Sequence, residues 1–100
     1  MKPIGIEPIV ECAAREGGWH CSVVLGDSEH SVQVDRATLD DIAPGRTPDD
    51  LVRASFAFLL EREPPESILR SFELPIIGRF FADYLDEMRR RLGGNGPTSV

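Results

Sequence analysis

Two glycine-centred breaks divide the first third of the chain into three short runs of alternating side chains. Gly17-Gly18 separates the first run from the second, and Gly26-Asp27-Ser28 separates the second from the third. Glycine adopts positive φ without strain, so such breaks between β-prone runs are typical of hairpins. The sequence therefore predicts a three-stranded antiparallel meander with strands at about 8–15, 19–26 and 29–35.

The alternation within these runs predicts that one face of the sheet is covered and the other is wet. Apolar and polar side chains point to opposite faces of a strand because the period is two residues. If Gly17-Gly18 forms a two-residue loop, Cys12 lies opposite Val23 and the apolar sides of the strands coincide. This arrangement is usual for a small antiparallel sheet.

The remainder of the chain carries helix signals, so we expect an α+β fold with the helices packed on one face of the meander. Thr47 as an N-cap, followed by proline and two acids, predicts a helix at about 48–63 that ends before a proline pair. This helix is apolar over more than half its circumference, which predicts a central position between the sheet and the last helix, or partial burial in a dimer interface. A short helical turn at about 66–71 and a helix at about 75–92 follow, with a kink permitted near Gly78.

Length and charge limit the classes of protein. A chain of 100 residues supports one domain, which we place at 1–92, with a disordered C-terminal tail at 93–100. It has 11 Lys and Arg against 17 Asp and Glu, a net charge of −6. Such an acidic chain lacks the basic surface that a nucleic-acid-binding protein needs. No run of about 18 apolar residues is present, so we expect no membrane span.

The two cysteines and a nearby histidine are the candidates for metal chemistry. Cys12, Cys21 and His30 would share the inner face of the predicted sheet, and His20 would point to the other face. A zinc knuckle of the Cys-x-x-Cys type is absent from the sequence. We therefore expect no cofactor and no catalytic residue, and interpret the cysteines as small buried hydrophobic side chains in a reducing, cytoplasmic setting.

Two stretches resemble known proteins. The stretch 51–84 reads LVRASFAFLLEREPPESILRSFELPIIGRFFADY and resembles small uncharacterised bacterial proteins, which implies no activity. A three-strand meander followed by a helix that opens Thr47-Pro48-Asp49-Asp50 is similar to the start of the HicB-type antitoxin domain. That resemblance implies an antitoxin-like protein that binds a basic toxin, and a fourth strand after the helix would favour it. The sequence shows neither that strand nor a ribbon-helix-helix tail.

The helical part carries more apolar surface than a three-stranded sheet can cover, and its aromatic side chains are the candidate interaction residues. They are Phe56, Phe58, Phe80, Phe81 and Tyr84. Large exposed apolar patches on small proteins mark contacts. The leading hypothesis is a non-enzymatic interaction or regulatory module that forms a homodimer through this face or binds a basic protein. The alternatives are the antitoxin-like protein and a small metal-binding or enzymatic domain using Cys12, Cys21 and His30.

Overall fold

Four strands form one sheet in the computed structural model, which describes residues 7–93. β1 (Ile9–Arg15), β2 (Gly18–Leu25) and β3 (Ser28–Asp35) are antiparallel, as the sequence predicts. A short strand, β4 (Ser71–Glu73), was not predicted; it pairs parallel to β3 at the edge of the sheet. The α+β fold and the meander are confirmed.

The register of the first hairpin differs by two residues from the predicted one. The loop ends at Gly17, which has φ +81°, while Gly18 already belongs to β2. Cys12 therefore pairs with Cys21 and not with Val23. A shift of two residues leaves every side chain on its predicted face, because the period of a strand is two.

This register has a covalent consequence that the sequence analysis missed. Cys12 and Cys21 are joined by a disulfide, with their Cα atoms 3.9 Å apart. The prediction of free thiols was wrong: it rested on there being only two cysteines, which suggested a reducing setting, whereas the observed register places the two opposite each other. Disulfides persist in oxidising settings, so the cysteine count supplies no argument for a reducing compartment.

The disulfide leads to the first testable prediction. The bond joins residues nine positions apart, and closing a loop of that size restricts the unfolded chain by about 2–3 kcal/mol. We expect the free energy of unfolding to fall by that amount when the protein is reduced. Urea denaturation with and without reductant measures it, and the intact mass reports the state of the thiols. An unchanged free energy after full reduction would contradict this expectation.

The predicted start of the central helix is confirmed, and its end comes earlier. A first helix, α1 (Arg36–Ile42), follows β3 directly, and α2 spans Pro48–Leu60. Thr47 caps α2, since its hydroxyl oxygen accepts a hydrogen bond from the backbone N–H of Asp50 at 3.1 Å. The predicted continuation to residue 63 is instead a turn, in which the N–H groups of residues 62 and 63 both bond to the carbonyl of residue 59.

The region after α2 departs most from the prediction. In place of the helical turn at 66–71 the chain makes a 3₁₀ turn and then β4. In place of one helix at 75–92 it forms several short pieces separated by an extended residue, Phe81 (φ −131°, ψ 105°). They are a 3₁₀ turn at Leu74–Ile76, α3 at Ile77–Phe80, α4 at Tyr84–Met88 and a π-helical turn at Arg89–Gly93.

Aromatic packing accounts for the break between α3 and α4. Phe58 of α2 is fully buried and contacts two rings, that of Phe81 in the break and that of Tyr84 at the start of α4. Its ring centroid lies 5.8 Å from that of Phe81 and 5.4 Å from that of Tyr84, both in edge-on geometry. Asp83, within the break, pairs with Arg62 at 2.9 Å. The apolar contacts and the ion pair therefore hold the break against α2 and the turn that follows it.

α2 is the centre of the core, as its wheel predicts. It contacts β1 and β2 on one side and α4 on the other. The largest fully buried side chains are Tyr84, Phe56 and Phe58. None of the helices in residues 7–93 is long and apolar enough to cross a membrane. The predicted disordered tail lies, beyond Gly93, outside the described residues.

A buried hydrogen-bond chain links α4 to α2. The Tyr84 hydroxyl lies 2.6 Å from Oγ of Ser55, whose own hydroxyl donates to the carbonyl of Leu51 at 2.7 Å. Oγ of Ser55 therefore accepts a hydrogen bond from the Tyr84 hydroxyl, and both hydroxyl groups are satisfied. Burial raises the pKa of Tyr84 well above its usual value, and the hydrogen bond with Ser55 opposes that shift only in part.

The raised pKa of Tyr84 leads to a second prediction. Above pH 10, the usual pKa of the group, the unfolded chain loses the phenol proton and the folded chain keeps it. The free energy of unfolding should then fall by about 1.4 kcal/mol per pH unit relative to Tyr84→Phe, whereas below pH 10 the difference is constant. This is the sole tyrosine, so phenolate absorbance reports it directly. Phenolate appearing near pH 10 in a folded chain would contradict the burial.

Candidate functional site

An apolar groove opens on the surface between the end of α2, the segment before β4, and α3. Its cavity is about 400 Å³, within the range of ligand pockets. Eight of its ten lining side chains are apolar, and the other two are Ser67 and Glu63. The apolar walls include Leu59, Ile68, Phe72 and Ile77. We call this feature the apolar groove.

One wall of the apolar groove is attached to the sheet by specific hydrogen bonds. The carbonyl of Leu69 accepts from Nδ1 of the buried His30 at 2.7 Å, and the carbonyl of Arg70 accepts from the N–H of Ser31 at 2.7 Å. Nε2 of His30 lies 3.0 Å from Oγ of Ser28. Both ring nitrogens of His30 are thus engaged in holding the backbone that carries the groove.

The rim of the apolar groove exposes two large apolar side chains. Phe80 is 66% exposed and Leu69 is 49% exposed. Exposed apolar residues that occur singly are ordinary, but a cluster around a cavity marks a contact site. The other large exposed apolar side chains among the described residues, Ile9 and Leu85, do not line this groove.

Among the residues that the structure describes, Glu63 is the only charged side chain in the lining. It is half-buried and forms no ion pair within residues 7–93. Glu61, two residues earlier, is by contrast paired within the fold. Arg91 bonds to both of its carboxylate oxygens at 2.8 and 2.9 Å, which holds the pKa of Glu61 below its usual range. Glu63 is therefore a half-buried carboxylate in the groove lining to which no described residue supplies a cation.

The three consecutive arginines near the C-terminus are occupied within the fold. Arg89 pairs with Asp41 at 3.4 Å, Arg90 with Glu87 at 3.0 Å, and Arg91 with Glu61 at 2.8 Å. Arg91 also approaches the face of a buried phenylalanine ring. These contacts attach the end of the chain's helical part to α1 and α2, so the run has a structural explanation.

The structure separates the five predicted interaction residues into two groups. Phe56, Phe58 and Tyr84 are fully buried in the core and reach no surface. Phe80 and Phe81 line the apolar groove. Glu63 and Leu69 were not predicted as groove residues, because helical spacing does not mark the turn after α2 or the segment before an unpredicted strand as walls of a groove.

The candidate metal ligands are engaged elsewhere. Cys12 and Cys21 form the disulfide, so they offer no thiolate in this state, and His30 holds the backbone below the groove. In the described part of the chain, no three or more His, Cys, Asp or Glu side chains are grouped to hold a metal ion.

Comparison with known proteins adds no relative. No family model, no curated protein and no solved structure matches the chain. What the structure defines is a class: a small α+β domain with an antiparallel meander, a short parallel edge strand and an apolar surface groove. The resemblances of 51–84 and of the meander therefore stay predictions.

Proposed function

We propose that this chain is a non-enzymatic protein-interaction module that binds its partner in the apolar groove. The observation that carries the proposal is a 400 Å³ apolar cavity whose rim exposes Phe80 and Leu69. When an aromatic or aliphatic side chain enters such a cavity, both that side chain and the apolar lining are removed from contact with water. Buried anchors of this kind supply most of the binding energy at protein interfaces.

Glu63 adds a requirement on the partner. A half-buried carboxylate with no cation among the described residues favours a partner that brings a positive charge beside its apolar anchor. The net charge of −6 acts in the same direction over longer distances, since opposite potentials steer association. The recognised element is therefore an apolar side chain next to an arginine or lysine.

A small probe tests this recognition without knowledge of the partner. The probe is the dipeptide N-acetyl-Arg-Phe-amide, titrated into the protein at a concentration where the chain is monomeric. We expect methyl NMR shifts concentrated at Ile68, Leu69 and Ile77, with a dissociation constant on the order of millimolar for so small a ligand. N-acetyl-Glu-Phe-amide and N-acetyl-Arg-Ala-amide are the matched controls and should bind several-fold more weakly.

A variant links the preference to its cause. Glu63→Gln keeps the shape of the groove and removes the local charge, so it should reduce the preference for Arg-Phe over Glu-Phe to the small part that the net charge of the chain supplies, while leaving the ring contact. Equal shifts for all three dipeptides in the wild-type protein would overturn the proposal. So would shifts centred on Ile9, at the far edge of the sheet.

The antitoxin-like alternative has one observation in its favour. A fourth strand follows the central helix, although it has only three residues and runs parallel to β3. That alternative requires a basic protein as the partner. Native mass spectrometry of protein purified from its own host distinguishes it, because a co-purifying basic polypeptide supports this alternative and its absence removes its support.

A further inference from the structure

The apolar groove and an exposed aromatic side chain lie side by side on the same chain. Phe80 ends α3 and stands on the rim of the groove, 66% exposed. In a twofold dimer each copy offers the same surface, so a projecting side chain beside a cavity can be exchanged reciprocally. The second copy then supplies the apolar anchor that the groove accepts.

The charges next to these two features are complementary. Arg79 precedes Phe80, is exposed, and has no ion-pair partner among residues 7–93. Glu63 lines the cavity and is equally unpaired in that range. A Phe80 ring inserted into the groove of a second copy brings Arg79 of the first copy beside Glu63 of the second. The twofold axis makes this pair occur twice.

We infer that the partner in the groove is a second copy of this chain, in a dimer that exchanges Phe80 and pairs Arg79 with Glu63 across the interface. This inference rests on the proposed function of the groove. In this dimer the exposed ring is buried, the cavity is filled and the two unpaired charges form an ion pair. Each copy also carries a charge of −6, and the repulsion between the two copies weakens the association, most strongly at low salt.

Charge reversal in separate chains tests the geometry. Glu63→Arg and Arg79→Glu, each alone, place like charges at both pairs of the homodimer. We expect each variant to associate about tenfold more weakly than wild type in sedimentation equilibrium, since two exposed ion pairs are replaced by two like-charge contacts. An equimolar mixture of the two variants restores opposite charges at both pairs, and we expect it to associate as tightly as wild type.

Matched variants control for net charge. Glu29→Arg and Arg15→Glu change the charge by the same amounts at exposed sites on the sheet. They should change the dissociation constant less than twofold, and their mixture should show no restoration. Circular dichroism of every variant confirms that the chain remains folded.

The outcomes separate this inference from the proposed function. A chain that stays monomeric at high concentration and yet binds the Arg-Phe dipeptide in the groove overturns the self-pairing and leaves the proposed function standing. Association that survives both charge reversals, or that the mixture fails to restore, also overturns the self-pairing. A monomer that does not bind the dipeptide overturns both.

Discussion

Gly18→Ala is expected to lower the free energy of unfolding by about 3 kcal/mol, at the upper end of what overpacking costs. A methyl group at this position would lie 2.2 Å from the backbone oxygen of Val34 and 2.9 Å from Cα of Asp35. Both atoms belong to the main chain of β3, so no side-chain rotation can relieve the clash. β2 and β3 would therefore have to separate at Gly18, the first residue of β2.

Gly78→Ala is the control, because it adds the same methyl group where space exists. The nearest atom to the new carbon would be Cδ2 of Tyr84 at 3.9 Å, an ordinary contact. Gly78 lies in α3, where alanine is preferred over glycine by up to about 1 kcal/mol. We therefore expect this variant to be slightly more stable than wild type. Urea denaturation of both variants measures the contrast, and equal effects would contradict the register described for β2 and β3.

The two adjacent glycines show why the fold was predictable and the register was not. Either Gly17 or Gly18 could adopt positive φ, so the sequence shows that a hairpin turn lies here but not which residue makes it. The choice is made by β3, which passes so close to Gly18 that no side chain fits there. That approach is a contact between distant parts of the chain, and local pattern carries no record of it. The observed register also places Cys12 opposite Cys21, and this pairing makes possible a disulfide that the low cysteine count argued against.

The second half of the chain was misread for a related reason. Apolar side chains continue at helical spacing through 75–92, and this pattern does not mark the extended conformation of Phe81. β4 exists because residues 71–73 pair with β3, some forty residues earlier in sequence. Both features depend on tertiary contacts, whereas the start of α2 is set locally by Thr47 and was predicted correctly.

The candidate site was predicted only in part, because burial divides side chains that the sequence presents as equivalent. Phe58 and Phe80 are both aromatic residues in the helical part of the chain. One is fully buried and the other is 66% exposed. Helical spacing could identify the apolar surplus but could not divide it between core and surface.

Phe58→Ala is expected to destabilise the fold by about 3–5 kcal/mol, the usual cost of deleting a buried aromatic ring. The guanidinium of Arg62 lies 3.7 Å from the centre of this ring, and Phe81 and Tyr84 contact its edges. Removal of the ring therefore leaves a cavity and takes away the surface on which the Arg62 side chain lies. Loss of association in this variant would report unfolding rather than a missing interface.

Phe80→Ala should show the reverse result. Its ring is largely exposed, so the free energy of unfolding should stay within about 0.5 kcal/mol of wild type. If the ring is the anchor of an interface, self-association should weaken by about thirtyfold or more, the effect of losing a central contact residue. Urea denaturation and sedimentation equilibrium on the same two variants give both quantities. A Phe80→Ala chain that is folded and associates like wild type would place the interface away from the groove, and one that unfolds would place Phe80 in the core.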